Sequence, residues 1–502
     1  MGIPPDDRSP NDDELSYQEL AEQVVALQLF TEQLSAETEQ LRSENESLRD
    51  LVARLEAELG RHSENSSKPP SQDPMAPRQS RAERRAAGRA AGRAQGKQPG
   101  APGAHLARRV PDEVVVHPPV CCGGCGADLA GADVVGEVRR QVLEIPRIEV
   151  RVTDHIAERR RCACGHETTG VFPAEARAPV CWGPEVRAFA VYLMDRQHLP
   201  LERTAELLAE LLGANVSTGW LSSVQAEAAG RLGPFITAVK AGLAQAPVVH
   251  ADETGTRVGT TKRWVHTLAT NLLTLLVVHP RRGVEAMEDI GVLADYAGII
   301  VHDGWASYDV FTGAGHAQCG AHLIRHLRAV GETPEFSTWT IQMIEILLAA
   351  KAANEQAADI GLPRVRQRRA SAITRRYHDT LDAAFAALPK GPPPRRRHTG
   401  GWSTPQREAW NLATRLRVGA PDVLHLLRDS AVPFDNNTGE RALRMVKLHD
   451  KISGSFRSDD GARAFATIRS YLQTAALQGH NRLAVLRQLF IEGPWLPQAG
   501  VG

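Results

Sequence analysis

Two short segments of this chain share one pattern, in which a run of β-branched residues leads to an aspartate and then to a turn. The first is Val248-Val-His-Ala-Asp252-Glu-Thr-Gly, and the second is Gly298-Ile-Ile-Val-His-Asp303-Gly. Each segment predicts a strand that places an aspartate at its carboxyl end. Because the carboxyl ends of the strands in an open α/β sheet face the functional crevice, we expect Asp252 and Asp303 to lie together.

The segments around these strands predict the remaining parts of an α/β core. Strand-like runs occupy residues 263–269 and 272–279, and a helix is predicted over 284–296. Upstream, residues 184–244 have helical patterns that break at 213–217, where Ser217 is a suitable N-cap. Two helices around a short turn are compatible with a helix-turn-helix, and plain helical packing is the alternative.

The predicted pair of aspartates favours a metal site. Adjacent carboxylates raise each other's pKa unless a cation lies between them, and their oxygens suit a hard divalent ion. A turn or cap role is the alternative for either aspartate alone. A third acid is Glu440, which falls at N3 of a predicted helix if Asn437 is the N-cap, and a capping-box glutamate is the alternative there. Arg444 and Lys447 share the helix face of Glu440, a pattern that suits a phosphate backbone held beside a metal-binding carboxylate.

The net charge of zero is a cancellation between segments of opposite sign. Residues 1–60 carry 4 Lys/Arg against 15 Asp/Glu, whereas residues 61–110 carry 11 against 3 and residues 361–400 carry 10 against 2. Segregated basic segments of this kind are typical of chains that bind DNA phosphates. A total of zero therefore does not exclude a nucleic-acid partner.

The length of 502 residues predicts about three or four structural units. Apolar residues make up 42% and charged residues 24%, which is the range of globular proteins. The apolar runs are far shorter than the roughly 20 residues of a membrane span, and the N-terminus has no apolar signal segment. The chain is therefore expected to stay in the cytoplasm with no membrane contact.

Leucines at seven-residue steps near the N-terminus form the d positions of a coiled coil. They are Leu20, Leu27, Leu34, Leu41, Leu48 and Leu55. Asn45 at an a position favours a parallel, in-register pair, so a leucine zipper over 13–62 should form a homodimer or a higher oligomer. An amphipathic helix packed on the protein's own body is the alternative.

A basic linker rich in proline and glycine follows the zipper, over residues 63–110. Its arginines recur at three- and four-residue steps and would line one face of a helix formed on DNA, and a solvated charge run is the alternative. The arginines assigned to DNA binding are Arg84, Arg85, Arg89 and Arg93.

Two cysteine pairs predict a zinc-ribbon-like module over 111–175. Cys122 and Cys125 form the first pair, and Cys162 and Cys164 form the second, with 36 residues between the two pairs. Two glycine-containing knuckles joined by hairpin strands, such as one over 148–152, would bring four thiolates onto one structural zinc ion. A metal-free β hairpin with incidental cysteines is the alternative. The second knuckle has only one intervening residue, so Cys121 or His166 could replace one of its cysteines.

Eight separate motifs, in collinear order over nearly the whole chain, closely resemble those of transposases of the insertion sequence 66 type. They are Asn65-Ser-Ser-Lys-Pro-Pro-Ser, Gly96-Lys-Gln-Pro-Gly, the knuckle of Cys122 and Cys125, His250-Ala-Asp-Glu-Thr-Gly255, His302-Asp303-Gly, Cys319-Gly-Ala-His322, Asp435-Asn-Asn-Thr-Gly-Glu-Arg441 and Lys451-Ile-Ser-Gly-Ser-Phe-Arg457. The resemblance implies an RNase H-like core whose three DDE acids match Asp252, Asp303 and Glu440. It also implies a helical insertion, which fits the 136 residues between the second and third acids.

The resulting fold class is multidomain, mixed α and α/β. The expected order after the zipper, linker and zinc-ribbon-like module is a helical DNA-binding segment over 181–245, the first part of the core over 246–330, the insertion over 331–430 and the last part of the core over 431–490. Cys319 and His322 resemble a Cys-x2-His pair of several DDE transposase groups, and they are expected to support the active site rather than to bind metal.

The resemblance implies a bacterial enzyme that binds the terminal repeats of its element, cleaves the DNA ends and transfers the 3′ ends to target DNA. Two Mg²⁺ ions, or Mn²⁺, would be bound by the three acids, with Asp252 bridging them. Accessory proteins of the same element are possible partners, and the bound protein would lie at the nucleoid. The alternatives are a non-catalytic DNA-binding regulator derived from a transposase and a nuclease that cleaves without strand transfer.

Overall fold

The computed structural model describes residues 106–146, 148–393 and 402–498. Two predicted segments therefore lie outside the described residues: the zipper over 13–62, and nearly all of the basic linker. The residues concerned are Leu20, Leu27, Leu34, Leu41, Asn45, Leu48, Leu55, Arg84, Arg85, Arg89 and Arg93. No helix in the described ranges is long and apolar enough to cross a membrane.

The chain divides into two compact units, Met1–Leu143 and Glu144–Gly502. The described part of the first unit, residues 106–143, has an isolated bridge between Cys121 and Asp128 but no helix or strand. Between the bridged residues the chain makes a tight turn, in which the Gly126 N–H donates to the Cys122 carbonyl at 2.8 Å. Gly126 has a φ of 76°, a conformation that favours glycine. The first cysteine pair therefore lies on a glycine turn, as the sequence predicts.

The second unit begins with a short antiparallel hairpin of β1 (Arg159–Arg161) and β2 (Glu167–Thr169). The second cysteine pair occupies its turn, where the Cys162 N–H donates to the His166 carbonyl at 2.8 Å. The strand predicted over 148–152 is wrong, because those residues form no strand. They are mostly exposed and take part in no β ladder of the described residues, and alternation alone does not make a strand without a ladder partner.

Four helices precede the sheet, and their buried faces join the core that also includes sheet residues such as Val249 and Ile300. The predicted break at 213–217 is confirmed: α2 ends at Gly213, which has a φ of 65°, and the Ser217 hydroxyl accepts the Trp220 N–H at 3.1 Å. The helices are α1 (Pro184–Val191, continued by a π-helical turn over Tyr192–Arg196), α2 (Leu201–Leu212), α3 (Thr218–Arg231) and α4 (Gly233–Gln245).

A five-stranded mixed sheet forms the centre of the second unit, in the order β5-β4-β3-β6-β7. Its strands are β3 (Val248–Val258), β4 (Thr261–Ala269), β5 (Thr274–His279), β6 (Ile299–His302) and β7 (Gly315–Gln318). The β3–β4 and β4–β5 pairs are antiparallel, whereas β3–β6 and β6–β7 are parallel. The helix predicted over 284–296 is shorter, since α5 (Val284–Ile290) stops at Gly291, which has a φ of 69°.

The predicted helical insertion follows β7, and its hydrophobic core, built around Trp339, Met343, Tyr377 and Leu416, also includes Val301 of β6 and Ala317 of β7. Its helices are α6 (Gly320–Gly331), α7 (Pro334–Asp359), α8 (Gln367–Ala386), α9 (Thr404–Val418) and α10 (Ala420–Val423).

Three final helices return to the sheet: α11 (Asn437–Ile452), α12 (Asp459–Leu477) and α13 (Arg482–Ile491). The α12 helix packs on β5 and satisfies its outer edge, because Ser470 Oγ accepts the Leu276 N–H at 2.8 Å and Thr474 Oγ1 accepts the Thr274 N–H at 3.0 Å. The edge strand is thereby closed to further pairing. The α11 helix, which carries Glu440, packs along β3.

Candidate catalytic carboxylate site

Asp252 and Asp303 lie at equivalent positions on neighbouring strands. The parallel pairing of β3 with β6 ends at His250 and Val301, and each aspartate follows its last paired residue by two positions. Adjacent strands lie about 4.8 Å apart, so the two carboxyl groups meet at one edge of the parallel pair. One expectation is corrected: Asp252 does not end its strand, because β3 continues to Val258 and stays paired with β4. The parallel neighbour ends here, and this leaves room beside the carboxyl group.

Asn436 fixes the start of α11 against β3. Its side chain is fully buried, with Nδ2 donating to the Ala251 carbonyl at 2.8 Å and Oδ1 lying 2.9 Å from His250 Nδ1. Fourteen residues further along, Asp450 accepts the Thr256 hydroxyl at 2.9 Å, so helix and strand run side by side in the same direction. A helix rises 1.5 Å and a strand about 3.3 Å per residue, which places Glu440, about 6 Å beyond Asn436, level with Asp252.

The capping-box alternative for Glu440 is wrong. The helix begins at Asn437, so Asn436 rather than Asn437 is the N-cap residue, and no side-chain cap bond is made. Glu440 therefore lies one position beyond N3, and its N–H donates to the Asn436 carbonyl at 3.1 Å. Its carboxyl group is therefore not tied to the helix N-terminus, and its charge acts on Asp252.

The electrostatics of Asp252 join all three acids. Burial, followed by the negative charges of Glu253, Asp303 and Glu440, raises the pKa of Asp252 to about 8, although the Glu253 N–H donates to Asp252 Oδ1 at 2.8 Å. The largest side-chain charges that act on this carboxyl group are all negative. Without a cation the group is held largely protonated at neutral pH, and a divalent ion would reverse that preference.

The neighbouring carboxyl group on β3, that of Glu253, points to the other face and is neutralised by the protein. Arg282 donates to Glu253 Oε1 from Nε at 2.9 Å and from Nη2 at 2.6 Å, and the Tyr308 hydroxyl donates to Oε2 at 2.8 Å. The Arg282 guanidinium also lies 4.1 Å from the ring centroid of Trp305 and 5.0 Å from that of Trp264. This arrangement connects β3 with the loop that follows Asp303.

Basic side chains from α6 and α9 face Asp303. The charge of Asp303 favours the protonated forms of His322, His326 and Arg415, although burial lowers the pKa of each. Arg415 Nη2 donates to His326 Nδ1 at 2.6 Å, so the insertion contributes a cation directly beside the candidate site. We expect a negatively charged substrate group to be stabilised there.

The structure brings Cys319 and His322 to Glu440. Cys319 directly precedes α6, and His322 lies in its first turn, with Nδ1 3.5 Å from Glu440 Oε1. A Cβ atom on Gly320 would lie 2.2 Å from the Phe434 ring, so glycine is required for α6 to begin against the segment before α11. Among the described residues, Cys319, His322 and Glu440 form the three-donor group whose ligand atoms all lie within 4.8 Å of one another.

The other predicted phosphate-binding side chains lie further along α11. Arg444 and Lys447 are both exposed, as their shared face with Glu440 predicts. The Lys447 ammonium donates to the Gly255 carbonyl on β3, so it also ties the helix to the strand.

The two cysteine pairs belong to different units. In the first, the N–H groups of Cys125 and Gly124 and the Cys125 thiol favour the thiolate and lower the pKa of Cys122. In the second, the N–H and thiol groups of Cys164 lower the pKa of Cys162 in the same way. Each knuckle therefore directs donors at its first sulfur, as a metal-binding turn does.

Sequence reasoning missed Asn436, Arg282, His326 and Arg415. The run Asp435-Asn-Asn before a helix is a signal for a buried polar contact, but it does not tell which asparagine is buried. Arg282 and Arg415 lie 30 and 163 residues beyond Asp252 in segments without a motif. Tertiary folding alone brings their side chains to this site.

Comparison with protein families gives three matches. The family described as "Transposase IS66 family" matches residues 179–464, which is more than half of the chain. The family described as "zinc-finger binding domain of transposase IS66" matches residues 119–165. A family of unknown function, DUF6444, matches residues 3–107. No curated protein matches the chain.

Proposed function

The chain belongs to the IS66 family of transposases and contains the zinc-finger domain of that family, and we propose that it cleaves and joins DNA with the carboxyl groups of Asp252, Asp303 and Glu440. The observation that carries this proposal is that the three acids come together beside the carboxyl end of β6. There the charges of Asp303 and Glu440 both act on Asp252.

The sheet supports an RNase H-like core. Three antiparallel strands are followed by two parallel ones, in the order β5-β4-β3-β6-β7. The two aspartates come from the central strand β3 and its parallel neighbour β6, and the glutamate comes from a helix packed on β3. The helical insertion between β7 and α11 separates the second acid from the third in sequence but not in space.

The donor set fits Mg²⁺ or Mn²⁺. These ions prefer oxygen ligands, and the negative charges around Asp252 are balanced most directly by a divalent cation. Three carboxyl groups can supply oxygen ligands to two ions about 3.5–4 Å apart. When bound, the two ions would activate the attacking oxygen and stabilise the leaving oxygen of the phosphodiester.

The chain's own side chains would hold the DNA against the acids. Arg415, paired with His326 beside Asp303, would bind the phosphate that undergoes reaction. Arg444 would contact the DNA backbone further along the bound DNA strand, since it is exposed on the same helix face as Glu440. These contacts fix the position of the phosphodiester, which is the main contribution a protein makes to phosphoryl transfer.

The zinc-finger domain would recognise the ends of the element with one structural zinc ion. We keep Cys122, Cys125, Cys162 and Cys164 as its predicted ligands, because the two cysteine knuckles in the sequence supply the four sulfurs that a tetrahedral zinc site needs. A zipper over 13–62 would then pair two subunits, so that two DNA ends lie in one complex.

The test is cleavage of DNA that carries the ends of the chain's own element, with Mg²⁺, Mn²⁺ or no metal. We expect wild-type protein to cleave only with metal and Asp252→Asn to bind the DNA without cleaving it. Asp460→Asn is the matched control, since Asp460 is an exposed aspartate on α12. Metal-dependent cleavage by Asp252→Asn at the wild-type rate would contradict the assignment.

Strand transfer from a precut end separates a transposase from a nuclease. The same site should join a supplied 3′ hydroxyl to target DNA, and it should lose this activity with Glu440→Gln. Cleavage without joining under the same conditions would favour the nuclease.

A further inference from the structure

Three different kinds of donor meet where α6 begins beside α11. The Cys319 sulfur, a ring nitrogen of His322 and a carboxylate oxygen of Glu440 lie within 4.8 Å of one another. A thiol and an imidazole have no place in the oxygen-only donor set proposed for the catalytic ions. The cluster therefore needs an explanation beyond the three acids.

The sulfur and the imidazole are arranged as ligands rather than as packing groups. Cys319 is fully buried, and burial raises the pKa of its thiol to about 11, although the Asn436 N–H, which the sulfur accepts at 3.2 Å, opposes the rise. His322 Nδ1 is buried without a hydrogen-bond partner. Its separation of 3.5 Å from Glu440 Oε1 is too long for a good hydrogen bond. A buried polar atom left unsatisfied destabilises the fold, and a bound ion would remove that cost.

The chemistry of the donors selects the ion. Mg²⁺ takes oxygen ligands, whereas thiolate and imidazole select Zn²⁺ and similar transition-metal ions. Bonds of about 2.0–2.3 Å in a tetrahedral zinc site put the donor atoms roughly 3.3–3.8 Å apart, so closure requires shifts on the order of 1 Å. Three protein ligands would leave the fourth position to water.

We propose that Cys319, His322 and Glu440 form a binding site for Zn²⁺ and that this ion competes with the catalytic Mg²⁺ for Glu440. The binding site stands on geometry alone, and only the competition rests on the proposed function. When Zn²⁺ binds, the Cys319 thiol releases its proton to solvent and the sulfur becomes a ligand. Glu440 is then held on the α6 side and is withdrawn from the catalytic ions, so zinc keeps the enzyme inactive.

Cobalt binding tests the site without any activity. Full-length chain is titrated with Co²⁺, whose charge-transfer absorption reports cobalt–thiolate bonds, and the number of sites is compared between variants. We expect Cys319→Ser, which keeps a small polar residue before α6, to bind one ion fewer than wild type. Cys181→Ser is the control, because Cys181 is exposed and its thiol donates to the Glu175 carbonyl. The predicted zinc-finger cysteines are unchanged in both variants.

A second variant guards against misfolding of the first. His322→Gln leaves the sulfur in place, and it should also lose the additional site. Equal cobalt stoichiometry in wild type, Cys319→Ser and His322→Gln would overturn the proposal.

Zinc inhibition tests the competition. Each protein is assayed for DNA cleavage in Mg²⁺ with increasing Zn²⁺ and compared with its own zinc-free rate. We expect zinc to inhibit wild type and Cys181→Ser alike. Cys319→Ser should need at least about 10-fold more zinc for the same inhibition. Identical zinc sensitivity would overturn the competition even if cobalt binds. If no protein cleaves DNA in Mg²⁺, the proposed function fails, while the cobalt titration still decides the site.

Discussion

Asp252 and Glu253 are neighbours on β3, but their carboxyl groups lie on opposite faces of the strand and have different surroundings. On the Glu253 face, Arg282 and the Tyr308 hydroxyl bind the carboxyl group, whose side chain is 2% exposed. For Asp252, burial first and then the charges of Glu253, Asp303 and Glu440 raise the pKa to about 8, and Asp303 and Glu440 are the acids on its own face. The protein itself supplies the cation that neutralises Glu253, whereas a bound metal ion would have to balance the charge of Asp252.

The difference separates a structural acid from a candidate catalytic one. Burial raises the pKa of both groups, so a raised pKa alone does not identify the active site. The neighbours do, because a cation supplied by the chain balances the charge of Glu253, whereas the acids around Asp252 favour its protonated form until a metal ion replaces the proton. The two faces are also coupled, since Tyr308 lies just after Asp303 and bonds to Glu253.

The largest effect is expected on activity. Asp303→Asn removes a proposed metal ligand, and we expect cleavage to fall by about 10³-fold or more, since metal ligands contribute several kcal/mol to the barrier. Glu253→Gln keeps the ligand set and should lose far less. Single-turnover cleavage rates measure both variants, and equal losses would erase the distinction between the two faces.

The next largest effect is expected on stability, where substitutions of Asp252 and Glu253 should change the free energy of unfolding in opposite directions. Without metal, Asp252→Asn relieves repulsion and should stabilise the chain by about 0.5–2 kcal/mol. Glu253→Gln weakens hydrogen bonds to a charged group and should destabilise it by about 1–3 kcal/mol. Denaturant unfolding in chelator measures both. Two changes of the same sign would show that the faces do not differ as described.

Asp195, a third buried carboxyl group, extends the comparison to the pH dependence of stability. Burial raises the pKa of Asp195 to about 7, although Gln225 donates to it at 2.7 Å and the charge of Arg469 opposes the rise. Its protonated form stabilises the fold, so this contribution is complete below pH 4 and is lost as the pH rises through 7. The Tm of Asp195→Asn relative to wild type should therefore increase by roughly 2 °C or more between pH 5 and pH 8. A constant difference would contradict the prediction.

The smallest effect is expected at Arg444. Arg444→Gln should weaken DNA binding only a few-fold, and it should reduce the slope of log affinity against log salt by about 1, because one phosphate contact is lost. Filter binding at several salt concentrations measures the slope. An unchanged slope would show that Arg444 does not contact the DNA backbone.

The sequence predicted the parts of this site that depend on local patterns. The strands that deliver Asp252 and Asp303, the break before Ser217 and the helix that carries Glu440 follow from β-branched runs, a cap residue and periodicity. Arg415 and Arg282 could not be predicted in this way, because their positions depend on how the insertion and the loop after β5 pack on the sheet. The strand expected over 148–152 failed for a related reason, since a strand requires a partner that no local pattern specifies.

The central claim is that the acids on the α11 side of β3 bind divalent ions while Glu253 does not. Mn²⁺ binding tests this claim directly. It is measured by electron paramagnetic resonance on the full chain in complex with DNA from the ends of its element. The claim predicts that wild type and Glu253→Gln bind Mn²⁺ alike and that Asp252→Asn loses it. Unchanged Mn²⁺ binding by Asp252→Asn, or its loss with Glu253→Gln in a folded protein, would contradict it.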